Sequence, residues 1–153
     1  MWAVIRTAHP ENERAKRIEH SGIRVGEIIS YRAWRVPNHS WFKRGHERLC
    51  SVYISEFVWD PEKPAAADVR THGIYSFRKV VRSRDEYGYE IPIGHLLFGR
   101  IRIWGEIVEH ERGYRSQFAK IISLDYGDPN LLEKFRLIYR VNPAPTSILD
   151  RFN

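Results

Sequence analysis

The sequence predicts an α+β fold in which strands dominate and form a mixed or antiparallel sheet, with one clear helix over residues 129–140. Runs of β-branched and aromatic residues bounded by glycine and proline are typical of strands. From Arg100 to Ile103, basic and apolar side chains alternate with the period of two that a strand requires. After Asp128, apolar residues return at helical spacing. The length suits a single domain spanning residues 1–153.

The early strands are predicted from local composition. Residues 23–36, "IRVGEIISYRAWRV", and residues 49–59, "LCSVYISEFVW", are both rich in good strand formers. Pro61 and Pro64 then forbid regular pairing, because proline has no backbone N–H. A short apolar strand is predicted at residues 71–77, "THGIYSF", and a helical turn or two at residues 78–89.

The sequence of residues 99–122 predicts an antiparallel hairpin that turns near Glu111–Gly113, where Gly113 can adopt a positive φ. We expect a cross-strand pair between Glu109 and Arg115. Period two also divides the first arm between two faces, unless a bulge at Gly105 shifts the register. One face takes Trp104, Glu106, Val108 and His110, and the other takes Ile103, Gly105, Ile107 and Glu109.

The helix has both a start signal and a buried face. Asp128 is a good N-cap residue, and Pro129 fits the first helical position. The apolar stripe that follows consists of Leu131, Leu132, Phe135, Ile138 and Tyr139. Residues 142–153 are expected to form an extended tail.

Charge and cysteine content narrow the function classes. The formal net charge is +6, which favours an anionic partner such as nucleic acid, a nucleotide or an acidic protein face. The single cysteine excludes an intramolecular disulfide and a CxxC zinc motif. We find no signal peptide and no apolar run long enough for a membrane span, so the expected location is cytoplasmic.

The blocks "ISYRAWRV", "THGIYSF", "GRIRIWGEIVEHERGYRSQFAKI" and "LLEKFRLIYRVN" resemble a family of small bacterial and phage hypothetical proteins. The block order matches from about Gly26 to Val141, and "WGEIVEHERGYR" is the specific part. That family has no established activity, so the resemblance transfers no catalytic residue. A cysteine often precedes the glycine of its "GIY" block, whereas His72 stands here.

The order of three strand-borne residues also resembles ADP-ribosyltransferase-like enzymes, in which Arg or His, Tyr and Glu cradle NAD. The resemblance implies Arg32 or Arg35 in the first role, and Tyr75, with Glu106 or Glu109, as the catalytic set. An aromatic face would stack on nicotinamide, and a carboxylate would stabilise the developing cationic sugar. The carboxylates beside His110 also permit general acid–base chemistry at the hairpin.

A metal site is not predicted, and neither is a cofactor. His39, His46 and Cys50 lie close in sequence, but zinc prefers four ligands at tighter spacing and no fourth is evident.

The interpretation we favour is an anion-binding module that binds nucleic acid, with a free nucleotide as the lesser possibility. Aromatic rings stack on bases while arginines neutralise phosphates, so interleaved rings and cations suit a single strand. The alternatives are the NAD-using enzyme and a protein–protein module with a host or phage protein as its partner, such as a phage protein that blocks a host defence factor. The predicted nucleic-acid-binding residues are Trp34, Arg35, Trp41, Lys43, Arg44, Arg48, Arg78, Lys79 and Arg82.

Overall fold

A computed structural model describes the backbone of residues 3–7 and, with side chains, residues 28–37, 46–52, 58–80 and 95–145. These residues form strands with one helix near the C-terminal end, which confirms the predicted α+β class. The elements are β1 Ala3–Thr7, β2 Ile29–Arg35, β3 Ala65–Ala66, β4 Ile74–Phe77, β5 Leu96–His110, β6 Gly113–Tyr126 and α1 Pro129–Tyr139.

Strand β5 organises the sheet, in which the named strands pair antiparallel. One edge of β5 pairs first with β2 and further along with β1, while its other edge pairs with β6. Strand β4 pairs with both β2 and β6, so the ladder β5–β2–β4–β6 closes into a ring. The short strand β3 lies on β6 outside this ring.

The predicted hairpin is present and is longer than expected, because β5 and β6 together span residues 96–126. His110 pairs with Gly113 across the turn. The conditional bulge is also present: Gly105 has φ +82°, and the register shifts between Trp104 and Ile107. Ile103 and Ile107, on either side of this bulge, both belong to the buried core.

Gly113 serves a different purpose from the one predicted. The glycines with positive φ in the described ranges are Gly73, Gly105 and Gly127, so the predicted positive φ at Gly113 is wrong. A Cβ atom at Gly113 would instead overlap the carbonyl oxygen of Ser76 on β4. This glycine therefore permits the close approach of β4 to the hairpin.

The core lies between the sheet and α1. From β2, Trp34 is fully buried, and from α1 the buried side chains are Leu132, Phe135 and Tyr139. The predicted N-cap is confirmed, since Asp128 accepts hydrogen bonds from the backbone N–H groups of residues 130 and 131. The apolar stripe read from the sequence is thus the face that α1 buries.

Two segments differ from expectation. Ala65 and Ala66 pair with β6 directly after Pro64, because proline blocks its own donor and not those of the residues after it. In the predicted strand 49–59, Cys50 bridges to Arg35 and to Val58, and residues 53–57 lie outside the described ranges. The predicted helical turns fall mostly on residues 81–89, also outside those ranges. The tail begins against the sheet, where Ala144 N–H donates to Asp125 at 2.6 Å.

Candidate nucleic-acid interface

The outer surface of the sheet near the hairpin turn carries alternating rings and cations. Along β4 the side chains alternate between core and surface, and Tyr75 is 49% exposed. The Arg115 guanidinium lies 5.9 Å from the centre of the Tyr75 ring. The His110 ring lies 6.3 Å from the same ring. An exposed tyrosine is therefore close to both a guanidinium group and an imidazole.

The same pattern continues two residues further along β4. Phe77 is partly exposed, packs against a second core cluster that includes Leu96 and Phe98, and has the Arg112 guanidinium 5.7 Å from its ring. Tyr75 is directly opposite Arg115, and Phe77 is directly opposite Gly113. We call this surface the tip face and define it as Tyr75, Phe77, His110, Arg112 and Arg115.

The charge of the tip face at neutral pH comes from its arginines. Burial lowers the pKa of His110, and the neighbouring cations Arg115 and Arg78 lower it further. The imidazole is therefore neutral near pH 7, whereas guanidinium groups stay charged. Arg112 and Arg115 therefore carry the positive charge of the tip face.

Arg78 is bonded to residues on the opposite side of the hairpin. It forms an ion pair with Glu109, donates to the Tyr114 hydroxyl at 3.0 Å and donates to the His110 carbonyl at 3.1 Å. The expected pair between Glu109 and Arg115 is wrong, because Glu109 is opposite Tyr114 in the register and Arg115 is opposite Val108. Neighbouring positions of a strand point to opposite faces. Arg78 therefore stabilises the turn, and its charge is compensated.

Of the predicted nucleic-acid-binding residues, Trp34 cannot serve as a stacking platform in this structure. It is fully buried and makes an edge contact with Trp59 at 5.6 Å. Arg35 and Arg48 are partly buried, and Arg48 donates to the Glu47 carbonyl at 2.9 Å. Lys79 is exposed. Trp41, Lys43, Arg44 and Arg82 lie outside the described ranges.

The structure does not bring the predicted NAD-binding set together. Tyr75 is on the tip face, Glu109 points to the other side with Arg78, and Glu106 lines a neighbouring cleft. Arg32 is buried beneath β4, where it donates to the Tyr75 carbonyl and to Ser51 and lies 5.0 Å from the Trp59 ring. Arg32 therefore supports the strand that carries Tyr75.

The cleft beside the tip face has a volume of about 530 Å³. Its walls come from the segment after β3, which includes Asp68 and Arg70, and from the bulge of the hairpin. The hairpin contributes Glu106, Gln117 and Phe118.

The residues considered as zinc ligands do not form a site in the described ranges. Cys50 is buried, and burial raises the pKa of its thiol. His46 is exposed, and His39 lies outside those ranges. Within the parts of the chain that the structure covers, no three potential ligands of the His, Cys, Asp and Glu types are grouped for a metal ion.

Sequence reasoning missed Phe77, Arg112 and Arg115 as surface partners of Tyr75. The available signal was the Y-x-F spacing in "GIYSF", which puts both rings on one side of a strand. The pairing of β4 with β6 was the missing information, because it sets Arg115 beside Tyr75.

Comparison with protein-family models, with curated proteins and with solved structures finds no match. Among the described residues, no helix has both the length and the apolar character needed to cross a membrane.

Proposed function

We propose that this protein binds single-stranded nucleic acid through the tip face. The observation that carries the proposal is Tyr75, a strand-borne ring that is 49% exposed and has an arginine beside it. Large exposed aromatics on a sheet surface are stacking platforms for unpaired bases, and every base has a face that can stack. Tyr75 supplies the ring, and Arg112 and Arg115 supply the cations that a phosphate backbone requires.

The arrangement favours a flexible single strand over a duplex. Phe77 lies two residues from Tyr75 on the same side of β4, so the Cα atoms that carry the two rings are about 7 Å apart along the strand. Successive unpaired bases can spread onto two such rings, whereas stacked bases in a duplex present only their edges. Phe77 is less exposed than Tyr75, so Tyr75 is the main platform.

The contribution of charge can be separated from that of stacking. Two phosphate contacts, at Arg112 and Arg115, account for a log–log salt slope of about −1.4, since each contact on a single strand contributes about −0.7. Loss of a stacked base costs about 1–3 kcal/mol and leaves the slope unchanged. Substitution of an arginine should therefore change the salt slope, whereas substitution of Tyr75 should change the affinity and leave the slope unchanged.

The test is fluorescence anisotropy with a labelled oligothymidine over a salt series. Tyr75→Ala is expected to weaken binding at every salt concentration with the slope retained. Arg115→Ala is expected to weaken binding at low salt and to flatten the slope by about 0.7.

Arg140→Gly is the matched control. It removes an exposed cation at the end of α1, where the left-handed backbone, with φ 55°, suits glycine. This variant should retain the affinity and nearly the whole slope. Absence of binding at low salt would rule out the tip face as the binding surface. Equal effects of Arg115→Ala and Arg140→Gly would rule it out as well.

A further inference from the structure

The cleft beside the tip face has a lining suited to one flat polar ligand. Phe118 forms an aromatic wall, held in place by stacking on Trp104 at 5.9 Å. Ala66 of β3, with Ala67 and Val69 after it, adds small apolar surface. Polar groups line both walls: Asp68 and Arg70 come from the segment after β3, and Glu106 and Gln117 come from the bulge side of the hairpin.

The hydrogen-bond donors and acceptors on the bulge side of this cleft can be assigned. The Gln117 side-chain oxygen accepts from the Glu106 backbone N–H at 3.1 Å, which leaves the Gln117 NH₂ group as a donor. The Glu106 carboxylate is partly buried and takes no hydrogen bond or ion pair from the residues that the structure describes. The bulge side of the cleft therefore presents two carboxylate acceptors next to one amide donor, while Asp68 and Arg70 lie in the wall formed by the segment after β3.

The bulge creates this arrangement. Gly105 has φ +82°, and a Cβ atom there would come within 2.7 Å of both the Gln117 oxygen and the Phe118 ring. Only glycine allows β5 to approach Gln117 this closely. The extra residue in β5 then places Glu106 in the wall of the cleft.

The geometry points to a guanine base as the ligand of this cleft, an inference that rests on the proposed function and adds a base preference to it. The Watson–Crick edge of guanine carries two donors, N1–H and the N2 amino group, followed by the acceptor O6. A carboxylate accepts from both donors, and the Gln117 amide donates to O6. Adenine and thymine lack two adjacent donors, and cytosine has one amino group next to acceptors. The ring of the base would lie along Phe118.

The cleft and the tip face are adjacent along β6. Arg115 and Gln117 are two residues apart on β6, a separation of about 7 Å, which is close to the spacing between nucleotides in an extended strand. Gly73, directly before β4, lies close to both surfaces, because a Cβ atom there would come within 3.2 Å of Arg115 and 3.3 Å of Val69. A strand with one base on Tyr75 can therefore place a neighbouring base in the cleft.

The experiment measures the affinity of oligothymidines that carry one central guanine, inosine or adenine. Inosine keeps N1–H but lacks the N2 amino group, so it tests one of the two donors. The wild type should bind the guanine oligonucleotide about tenfold more tightly than the adenine one, with inosine between them. Glu106→Gln should bring this ratio close to one.

Glu111→Gln is the matched control, because it removes the same charge from an exposed position in the turn of the same hairpin. It should keep the tenfold preference and bind plain oligothymidine as the wild type does or slightly better. If Glu106→Gln keeps the guanine preference, or if both variants lose it, the role of Glu106 is refuted.

A parallel titration with GMP and AMP separates this inference from the proposed function. Oligonucleotide binding without any base preference would overturn the guanine cleft and leave the tip face intact. Preference for GMP over AMP, lost in Glu106→Gln, together with no oligonucleotide binding would support the cleft and overturn the proposed function. No binding of any of these probes would overturn both.

Discussion

The hydroxyl group of Tyr139 ties α1 to two segments of the core, and its removal gives a sharp test of the packing. This hydroxyl accepts from the Leu49 backbone N–H at 2.8 Å and donates to the Trp59 carbonyl. Leu49 and Trp59 are 0% and 2% exposed, so water cannot replace either bond. Burial raises the pKa of Tyr139 far above its usual range, which keeps the hydroxyl proton in place as a donor.

Tyr139→Phe keeps the ring and deletes only the oxygen. Each buried polar group left unsatisfied costs about 1–3 kcal/mol, and this substitution leaves one donor and one acceptor. We therefore expect the free energy of unfolding to fall by about 2–6 kcal/mol. For a urea slope of about 2 kcal/mol per molar, the midpoint should fall by about 1–3 M.

Urea denaturation followed by fluorescence measures this shift, and Tyr126→Phe is the control. Tyr126 is 40% exposed, so water can solvate its hydroxyl and the change should stay within about 0.5 kcal/mol. Equal midpoints for the two variants would refute the bridging role of Tyr139.

Three further predictions concern packing, backbone strain and pH. Phe135→Ala should lower the free energy of unfolding by about 3–5 kcal/mol, since Phe135 is 1% exposed; an unchanged midpoint in urea would contradict the packing of α1. Gly105→Ala should cost about 1–3 kcal/mol from backbone strain, with crowding of Gln117 and Phe118 in addition; thermal unfolding measures it, and a wild-type Tm would contradict the bulge. The pKa of His110 is lowered in the folded state. On acidification the imidazole is therefore protonated in the unfolded chain before it is protonated in the folded protein. The free energy of unfolding should fall as the pH falls below about 6.5. His110→Gln should remove that part of the loss, and the two curves of stability against pH should run parallel above about pH 7.5; identical curves at all pH values would contradict the shift.

Local signals in the sequence were enough to predict the helix and the hairpin. The cap at Asp128, the proline after it and the stripe through Phe135 are contained within one element, and all three are present in α1. The sequence predicted the bulge as one of two possibilities, because a glycine within a strand pattern often marks a bulge. Gly105 has the positive φ that this interpretation requires.

Pairings between distant strands could not be predicted in the same way. Glu109 and Arg115 have compatible charges and a suitable spacing, yet the register sends them to opposite faces and gives Glu109 to Arg78. Trp34 lies among arginines in the sequence, which suggested a surface ring, but β2 sends it inward against Trp59. Charge and aromatic content name candidate residues, whereas topology decides which of them share a surface.

Photo-crosslinking tests the central claim most directly. An oligonucleotide in which 5-iodouracil replaces thymine forms covalent adducts with aromatic rings that stack on it, and mass spectrometry of the digested protein identifies the attached residue. We expect the main adduct on Tyr75, and we expect Tyr75→Ala to abolish it. Adducts on Trp41 with none on the tip face, or adducts that persist unchanged in Tyr75→Ala, would contradict the account.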